Sequence, residues 1–419
     1  MKKIKVVWIC EFSNPLVRAH LKYKKDYLDY IVRRIFKRQS MRDTDYDIWN
    51  SNGIEEIKEY PDIDLYVISP HYHIKGEEQR FILDGTHYIF FKDEKNSLLF
   101  HFIKKIRKNI RPNFRHNRLI IKKYISEIKP DIIHLIGAEN PHYSLSGLDT
   151  PPNIPLIVQL QTLVSDPSFI RKYPNYNKFN IECEKKVLLR ADFIGTTIKE
   201  YRERIVDMIN PDAKFLNLKL AVGFNTRSIN VPKEFDFIYF SLNINKAFDL
   251  ALEAFAIAYQ KYPVISLCVV GYYSPEYKKD IDKRIEELGV AKAVHFQGHQ
   301  PTHEDVLNWV AKSRYALLPI KFDIVSTTIR EAMGLGVPVI TTITSGTPSL
   351  NERRESVLLS AINDHEAMAE NMIKLLSDTK LVESLSENAL KTVKEQYDNS
   401  DTMREWVKTY RNLVHYESK

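Results

Sequence analysis

Glycine is scarce in this chain and appears late. The 419 residues include 13 glycines, and none precedes Gly53. The first apolar run, Lys5–Cys10, is therefore not followed by the glycine-rich loop of a GxGxxG dinucleotide motif or of a Walker P-loop. This excludes a dehydrogenase with that fingerprint and a P-loop kinase, and any phosphate-binding site must be built elsewhere.

Cysteines and long apolar runs are also few. Cys10, Cys183 and Cys268 lie far apart among apolar residues, without the CxxC or cysteine–histidine spacing of a zinc site. We expect them to be buried thiols in a reducing compartment. The apolar stretch near the N-terminus ends at Glu11, too soon for a signal peptide, and no uncharged run reaches the roughly 18 residues of a membrane span. These absences predict a cytoplasmic protein.

Positive charge, by contrast, is in excess and is concentrated. The formal net charge is +7, and residues 101–123 carry nine lysines and arginines without an acidic residue. A second basic cluster lies within residues 30–42. Interleaved apolar residues suit the longer cluster to docking on an anionic membrane surface, although a solvated helix face is the alternative. No zinc-finger, RNP or helix-turn-helix signature accompanies the charge, so nucleic acid is not an expected partner.

Short apolar runs alternate with longer helical patterns along the whole chain, which is typical of β–α units in parallel sheets. A chain of this length favours two domains of about 200 residues. We predict an α/β protein with two Rossmann-like, doubly wound domains facing across a cleft, residues 1–228 and 229–398. A terminal helix in residues 399–419 is expected to pack back on the first domain. Ligands of such sheets bind outside the carboxyl ends of the strands.

Residues 322–338 have the pattern of a phosphate-binding helix tip. A predicted strand ends at Pro319, a loop holds Asp323, and the following helix carries Glu331 about one turn from its start. That helix would begin with residue types that favour N-caps, Ser326, Thr327 and Thr328. The amides and partial positive charge of a helix N-terminus attract anions. The alternative is an ordinary strand, loop and capped helix without a ligand.

The same segment resembles the signature of glycosyltransferase family 4, which comprises retaining enzymes of the GT-B fold. In that family a glutamate is followed, after seven residues, by Glu-Ala-Met-Ala-x-Gly-x-Pro-Val; here Asp323 is followed by Glu331 and Ala332–Val339. Lys246, which opens a predicted helix, resembles the lysine that neutralises the donor pyrophosphate. Three further segments match in order: Val269–Gly271, Phe296–His299 beside the nucleobase, and Ser345–Pro348.

The resemblance implies sugar transfer from a nucleotide diphosphate donor to a hydroxyl of a glycan or lipid-linked glycan, with retention, in cell-surface polysaccharide synthesis. It implies three catalytic residues: Lys246, Asp323 and Glu331, with Asp323 on the donor sugar and Glu331 on the ribose. It implies further donor contacts from Gly298, His299, Ser326, Thr327 and Thr328. No metal ion or other cofactor is required, because lysine and the helix dipole would stabilise the leaving diphosphate.

The amino-terminal half resembles the family more loosely. The run Trp8–Pro15, together with Gly137–Pro141, resembles a subgroup met in bacterial polysaccharide gene clusters. The resemblance implies three acceptor-binding residues: His134, Glu139 and Gln161, the last standing where the family commonly has a histidine. A hydrogen-bonded structural histidine is the alternative for His134, and a solvated carboxylate is the alternative for Glu139.

Two departures from the family pattern bear on activity. Asp323 replaces the first signature glutamate, and Ser241 stands where an arginine normally assists the lysine. Because two cations stabilise a departing diphosphate better than one, Arg330 and Arg314 are considered as replacements. Two alternatives to transfer therefore remain: a catalytically silent GT-B domain that binds a nucleotide sugar or glycan, and a hydrolase or epimerase that acts on nucleotide sugars.

Overall fold

The computed structural model describes residues 3–23, 45–71, 73–94, 113–223, 229–242, 247–321, 325–344 and 346–416. The chain divides into two compact units: Met1–Ala221 with Asn399–Lys419, and Val222–Asp398. The first unit ends at Ala221 rather than at residue 228, and it includes the terminal helix. Each unit is built on a parallel or mainly parallel sheet with helices, so the predicted α/β class with two Rossmann-like sheets is confirmed.

The described strands of the first unit are β1 Ile4–Ile9, β2 Ile63–His71, β3 Glu78–Leu83, β4 Thr86–Lys92, β5 Ile132–Ile136, β6 Leu156–Gln159, β7 Phe193–Gly195 and β8 Phe215–Leu216. Its described helices are α1 Pro15–His20, α2 Ile48–Ile57, α3 Arg115–Ile128, α4 Pro141–Ser144, α5 Pro167–Lys172, α6 Lys178–Arg190, α7 Lys199–Met208 and, after the second unit, α14 Asn399–Tyr416.

These strands form one sheet in the order β3-β4-β2-β1-β5-β6-β7-β8. All neighbouring pairs are parallel except β3 and β4. The chain builds outward from β1 through β2 to β4 and then returns to place β5 on the other side of β1. The direction of winding therefore reverses between β1 and β5, and such a switch point is where doubly wound sheets bind ligands.

The described strands of the second unit are β9 Phe235–Leu242, β10 Leu267–Gly271, β11 Val294–Gly298, β12 Ser313–Leu318, β13 Val339–Thr342 and β14 Leu358–Ser360. Its described helices are α8 Phe248–Lys261, α9 Pro275–Glu287, α10 His303–Ala311, α11 Thr327–Gly334, α12 His365–Ser377 and α13 Thr379–Gln396. The strand order is β11-β10-β9-β12-β13-β14, with every pair parallel. This is the Rossmann order, and its switch point lies between β9 and β12.

Helix α14 contributes to the core of the first unit. Met403, Trp406 and Tyr410 are buried in the same apolar cluster as Trp8 of β1. The Trp8 indole donates to the Tyr410 hydroxyl at 3.0 Å, and the Trp406 indole donates to the carbonyl of Lys219 at 2.8 Å. The last helix is thus bound to the first sheet by both apolar packing and hydrogen bonds.

None of the helices in the described ranges is long and apolar enough to span a bilayer. The basic cluster at residues 30–42 and the first part of the cluster at 101–123, up to residue 112, lie outside the described residues. The remainder of that cluster lies around and within α3.

Candidate functional site

The switch point of the second sheet is defined by the carboxyl ends of β9 and β12. Two of the predicted catalytic residues follow these strands along the chain: Lys246 comes after β9 and Asp323 after β12. Both lie outside the described residues. The site that can be described is therefore made by α11, by the ends of β9, β10 and β11, and by α10.

Helix α11 starts without a side-chain cap. Ser326 occupies the N-cap position but makes no capping hydrogen bond to the helix. Its hydroxyl instead lies 2.9 Å from the hydroxyl of Thr328, and both residues are buried. Thr327 is exposed beside them. Because the amides of a first helical turn have no partner within the helix, an α11 tip of this kind can accept an anion such as a phosphate.

Glu331 lies one turn into α11 and is 5% exposed. Its Oε1 atom is 2.9 Å from Nε2 of His303, the first residue of α10. A reciprocal capping box between Thr302 and Asp305 fixes the start of α10 and hence the position of the histidine. His303 was not among the predicted site residues. Its pairing holds a buried carboxylate in one orientation, as recognition of a hydroxyl-bearing ligand requires.

The end of β9 departs from regular strand geometry at Ser241. This exposed residue has a φ of 58°, and the pairing of β9 with β10 shifts by one residue at this point. Gly271 makes the shift possible, because a Cβ atom at that position would lie 2.3 Å from the backbone nitrogen of Leu242. Ser241, which stands where glycosyltransferase family 4 normally has an arginine, therefore lies on a bulge beside the switch point.

The two candidate replacements for that arginine lie at different places in the second unit. Arg330 is buried, donates to the Thr327 hydroxyl at 3.0 Å and places its guanidinium 5.2 Å from the centre of the Tyr397 ring. Arg314 is at the amino end of β12, the opposite edge of the sheet from α11, and lies 3.7 Å from Asp236. The structure therefore argues against Arg314, whereas the Arg330 side chain is held between Thr327 of the α11 tip and the Tyr397 ring.

Gly298 and His299 lie at the carboxyl end of β11, the edge strand. Gly298 has a φ of 70°, which favours glycine, and the pairing of β11 with β10 is also irregular here. His299 is exposed, and the burial of part of its ring lowers its pKa. These residues are at the carboxyl ends of the strands, as the α11 tip is, and their strand lies two positions from β9 in the sheet.

His134, predicted to line an acceptor site, is instead a core residue. It is the middle residue of β5, is fully buried and lies 2.6 Å through Nδ1 from the Tyr410 hydroxyl. Its ring is 4.3 Å from that of Trp406. Burial lowers its pKa from 6.5 to about 3, so the ring is neutral at physiological pH. This buried, hydrogen-bonded position is the one that the alternative of a structural histidine describes.

Glu139 and Gln161 do come together, at the carboxyl edge of the first sheet. The Gln161 amide donates to Oε1 of Glu139 at 2.7 Å and accepts from the Trp49 indole at 3.1 Å. Glu139 is only 7% exposed, so the alternative of a solvated carboxylate is excluded. Burial raises its pKa from 4.5 to about 8. Trp49 is a further residue that local sequence patterns do not predict.

Three more carboxylates lie around Glu139. Those of Glu184 and Asp47 raise its pKa through their charges, and Glu11 acts in the same way on Asp47. Burial is the larger cause at both neighbours and raises their pKa values to about 7. The Glu11 carboxylate is 3.1 Å from Nε2 of the buried His142. Within the described ranges no three His, Cys, Asp or Glu side chains are grouped so as to hold a metal ion.

The comparison with known families concerns the second unit. Residues 225–392 match the model of the family described as glycosyl transferases group 1. That range includes β9 through β14, the tip of α11, Glu331 and His303. The second unit is therefore similar to the group 1 glycosyltransferases, in agreement with the family resemblance of its sequence.

Individual relatives are more distant. Over 130 residues the chain is 26% identical to N-acetyl-alpha-D-glucosaminyl L-malate synthase from Bacillus anthracis, a match that covers 31% of this chain. It covers 33% of that relative, so the chain spans about a third of the length of the curated protein it matches.

Two solved structures match the fold over nearly the whole chain. Sucrose-phosphate synthase from Thermosynechococcus elongatus matches with a TM-score of 0.68 at 15% identity, covering 99% of this chain and 100% of the other. Anabaena HepE in complex with UDP and glucose matches with a TM-score of 0.62 at 13% identity, covering 97% and 99%. At these identities the likeness shows the fold alone, which is the two-sheet GT-B type.

Proposed function

We propose that the protein is a retaining glycosyltransferase that moves a sugar from a nucleotide diphosphate donor to a hydroxyl of a glycan or lipid-linked glycan in cell-surface polysaccharide synthesis. The observation that carries the proposal is the oriented Glu331 carboxylate beside the uncapped start of α11, at the switch point of the second sheet. The unit that contains this sheet matches the group 1 family model. A protein of the same fold has been solved with UDP and glucose, which supports a nucleotide sugar as the donor class.

In this proposal different residues of the second unit bind the ribose, the diphosphate, the sugar and the base of the donor. Glu331, held by His303, accepts hydrogen bonds from the ribose hydroxyls, and the amides of the α11 tip take the diphosphate. Lys246 adds positive charge as the diphosphate leaves, and Asp323 holds the donor sugar. Gly298 and His299 lie beside the base. We propose that fixed dipoles and the lysine perform this work without a metal ion.

The experiment is donor turnover by the full chain. Nucleotide sugars of several bases are incubated with and without neutral glycan and lipid-linked acceptors, and the release of nucleoside diphosphate is measured. Glu331→Ala and Lys246→Ala should each lower kcat/KM roughly 100-fold, since each removes a charge-assisted contact worth about 3 kcal/mol. Glu370→Ala and Lys279→Ala, two exposed sites on α12 and α9, serve as matched controls. Full activity in both site variants would contradict the assignment.

The stereochemical part is tested on the product. Proton NMR of the newly formed glycosidic bond should show the same anomeric configuration as in the donor. An inverted product would leave transfer intact but overturn retention. Donor cleavage at the same rate without an acceptor would instead indicate a hydrolase.

A second candidate function is binding of a nucleotide sugar without catalysis. Ser241 at the arginine position favours it, as does the location of Arg314 at the opposite edge of the sheet. This candidate predicts saturable binding of a nucleotide sugar, with no product from any donor and acceptor in the panel. Product formed in an acceptor-dependent manner would exclude it.

We further propose docking on an anionic membrane surface through residues 30–42 and 101–123, which would place the enzyme in the cytoplasm at the inner face of the plasma membrane. On α3, Arg115 and Lys122 are exposed, whereas Arg118 is paired with Asp149 at 2.5 Å. Co-sedimentation with vesicles that contain phosphatidylserine should occur at low salt and decline at high salt. No binding to these vesicles at low salt would remove this part of the proposal.

A further inference from the structure

Arg330 places a positive charge near the start of α11. It is the fourth residue of that helix, is 7% exposed, and donates from Nη2 to the hydroxyl of Thr327, the first residue, at 3.0 Å. Helical side chains lean toward the N-terminus of their helix, so the guanidinium lies back against the first turn. A cation there opposes the helix dipole. The charge of Arg330 therefore does not favour the helix itself.

The guanidinium is also held by Tyr397, the residue that ends α13. Its central carbon lies 5.2 Å from the centre of the Tyr397 ring, and the face of an aromatic ring attracts a cation. The charge acts on the ring in turn: burial raises the pKa of Tyr397, and the guanidinium lowers it. The long Arg330 side chain is thus fixed between two helices, with its charge beside the α11 tip.

Thr327 connects this charge to the exposed side of the tip. Thr327 is exposed, whereas Ser326 and Thr328 on either side of it are buried, with their hydroxyls 2.9 Å apart. Because the Thr327 oxygen accepts from Arg330, its own hydrogen points elsewhere and can be donated to a ligand. Hydrogen bonds in a chain polarise one another, so the charged guanidinium makes this hydroxyl a better donor.

The distances place any ligand of Thr327 close to the charge of Arg330. A phosphate oxygen that accepts from the Thr327 hydroxyl would lie about 2.7 Å from Oγ1. Since Oγ1 is 3.0 Å from Nη2 of Arg330, that oxygen would lie no more than about 6 Å from the guanidinium nitrogen, whatever its direction. Opposite charges at this separation attract near a protein surface, and the amides of the first turn act in the same sense.

We propose that Arg330 is a positioning residue of the donor site, which orients the Thr327 hydroxyl and adds a positive charge, besides that of Lys246, to the binding of a nucleoside diphosphate. The inference rests on the proposed function for the identity of the ligand, and it adds a residue that acts on the phosphates. Arg330 does not touch the donor, because it acts through Thr327 and through its charge. A purely structural arginine would stabilise the second unit, and its charge would not matter for the ligand.

The test separates the charge of Arg330 from its packing. Isothermal titration of the full chain with UDP, GDP and ADP identifies a diphosphate that binds the parent protein. Arg330→Met keeps a long side chain without the charge and should bind that diphosphate about tenfold more weakly, equivalent to about 1.4 kcal/mol. Arg330→Lys keeps the charge and should bind within about threefold of the parent protein. Unchanged binding by Arg330→Met, or equal weakening in both variants, overturns the proposal.

A double-mutant cycle tests the route through Thr327. Thr327→Val keeps the shape of this exposed side chain but removes the hydroxyl, and it should weaken binding of the diphosphate about fivefold. The double variant with Arg330→Met should lose less than the product of the two single losses, because both changes remove one hydrogen-bonded unit. Losses that multiply fully overturn the positioning role.

The matched control is Arg314→Met, which removes an exposed arginine at the amino end of β12 and should bind the diphosphate like the parent protein. An equal loss in Arg314→Met and Arg330→Met would mean that only the net charge matters, and it overturns the proposal. Thr327→Val tests the proposal even if Arg330→Met fails to fold, because unchanged binding by Thr327→Val overturns it.

The two proposals fail separately. Diphosphate binding that depends on Arg330, in a protein that transfers no sugar from any donor in the panel, would refute transfer and leave the role of Arg330 standing. Acceptor-dependent transfer by Arg330→Met with the kcat and donor KM of the parent protein would refute the role of Arg330 and leave transfer standing. No binding of any of the three diphosphates by the parent protein would refute both.

Discussion

The two sheets share the central Rossmann strand order but differ at their carboxyl edges. In the second unit the edge beside the switch point presents the start of α11, two buried hydroxyls and one carboxylate paired with His303. In the first unit the same edge presents the buried Glu139 carboxyl, which accepts from the Gln161 amide and has Glu184 and Asp47 as charged neighbours. The start of α11 is suited to a ligand with negative charge, whereas the edge of the first sheet carries carboxyl groups whose pKa values are raised by burial.

The comparison shows that strand order fixes where a ligand binds but not which ligand. The backbone geometry of a switch point is similar in both units, so the difference comes from a few side chains at strand ends and helix starts. The proposed diphosphate donor matches the edge of the second sheet, where the start of α11 offers backbone amides.

Gly271→Ala should have the largest effect, and it acts on the edge of the second unit. The new Cβ would lie 2.3 Å from the Leu242 nitrogen, and the φ of 145° is unfavourable for alanine. We expect a loss of about 3 kcal/mol or more of unfolding free energy, measured by calorimetry. Gly289→Ala, where φ is 71° but no atom lies within 4 Å, should cost only about 1 kcal/mol. Equal costs would mean that the close approach to β9 is not required.

The stability of the first unit should fall as pH rises from 6.5 to 8. Its buried carboxyls at Glu139, Asp47 and Glu184 have pKa values raised to about 8, 7 and 7, so the folded state holds protons that the unfolded state releases. Unfolding free energy should drop by roughly 3 kcal/mol over this range. His134, whose pKa is lowered to about 3, opposes this trend only below pH 6.5.

The measurement is thermal unfolding followed across that pH range in the parent protein and in Glu139→Gln. The variant should show a smaller decrease, because the group with the highest raised pKa has been removed. A transition temperature that rises between pH 6.5 and 8 would contradict the burial of these carboxyls.

His303→Ala should have a smaller effect, on donor binding in the second unit. Without its partner the Glu331 carboxylate loses its fixed orientation, so KM for the donor should rise roughly fivefold, about 1 kcal/mol, with little change in kcat. His303→Gln should restore part of the loss because its amide can donate. His365→Ala, which disrupts a 3.5 Å pair with Glu253 in the same unit, is the control. An equal effect from both alanine variants would indicate a general loss of stability.

Much of the fold could be predicted because the central strands are continuous apolar runs between amphipathic helices. Strand β3 is hard to recognise from the sequence, since none of its residues is buried and it lacks the continuous apolar run of the central strands. Strand β8 has two residues and β14 three, too few to produce a periodic signal. The terminal helix was recognisable from the spacing of Met403, Trp406 and Tyr410.

The site was predicted only where a residue acts within its own local motif. Glu331 is recognisable from its neighbours in sequence, but its partner His303 lies on another helix, and no local pattern links the two. His134 looks like a strand-end histidine until Tyr410, from the other end of the chain, is found against it. Glu184 lies in a helix among polar residues, so the sequence suggests that it is exposed. It is buried instead, and its carboxylate accepts hydrogen bonds from the backbone amides of Val164 and Ser165.

Nucleoside diphosphate binding by the full chain tests the central claim most directly. Isothermal titration with UDP, GDP and ADP compares the parent protein with Glu331→Ala and with the exposed-site control Glu370→Ala. At least one diphosphate should bind the parent and the control equally and bind Glu331→Ala at least tenfold more weakly. Undiminished binding to Glu331→Ala, or no binding of any of the three by the parent protein, would contradict a donor site at the switch point of the second sheet.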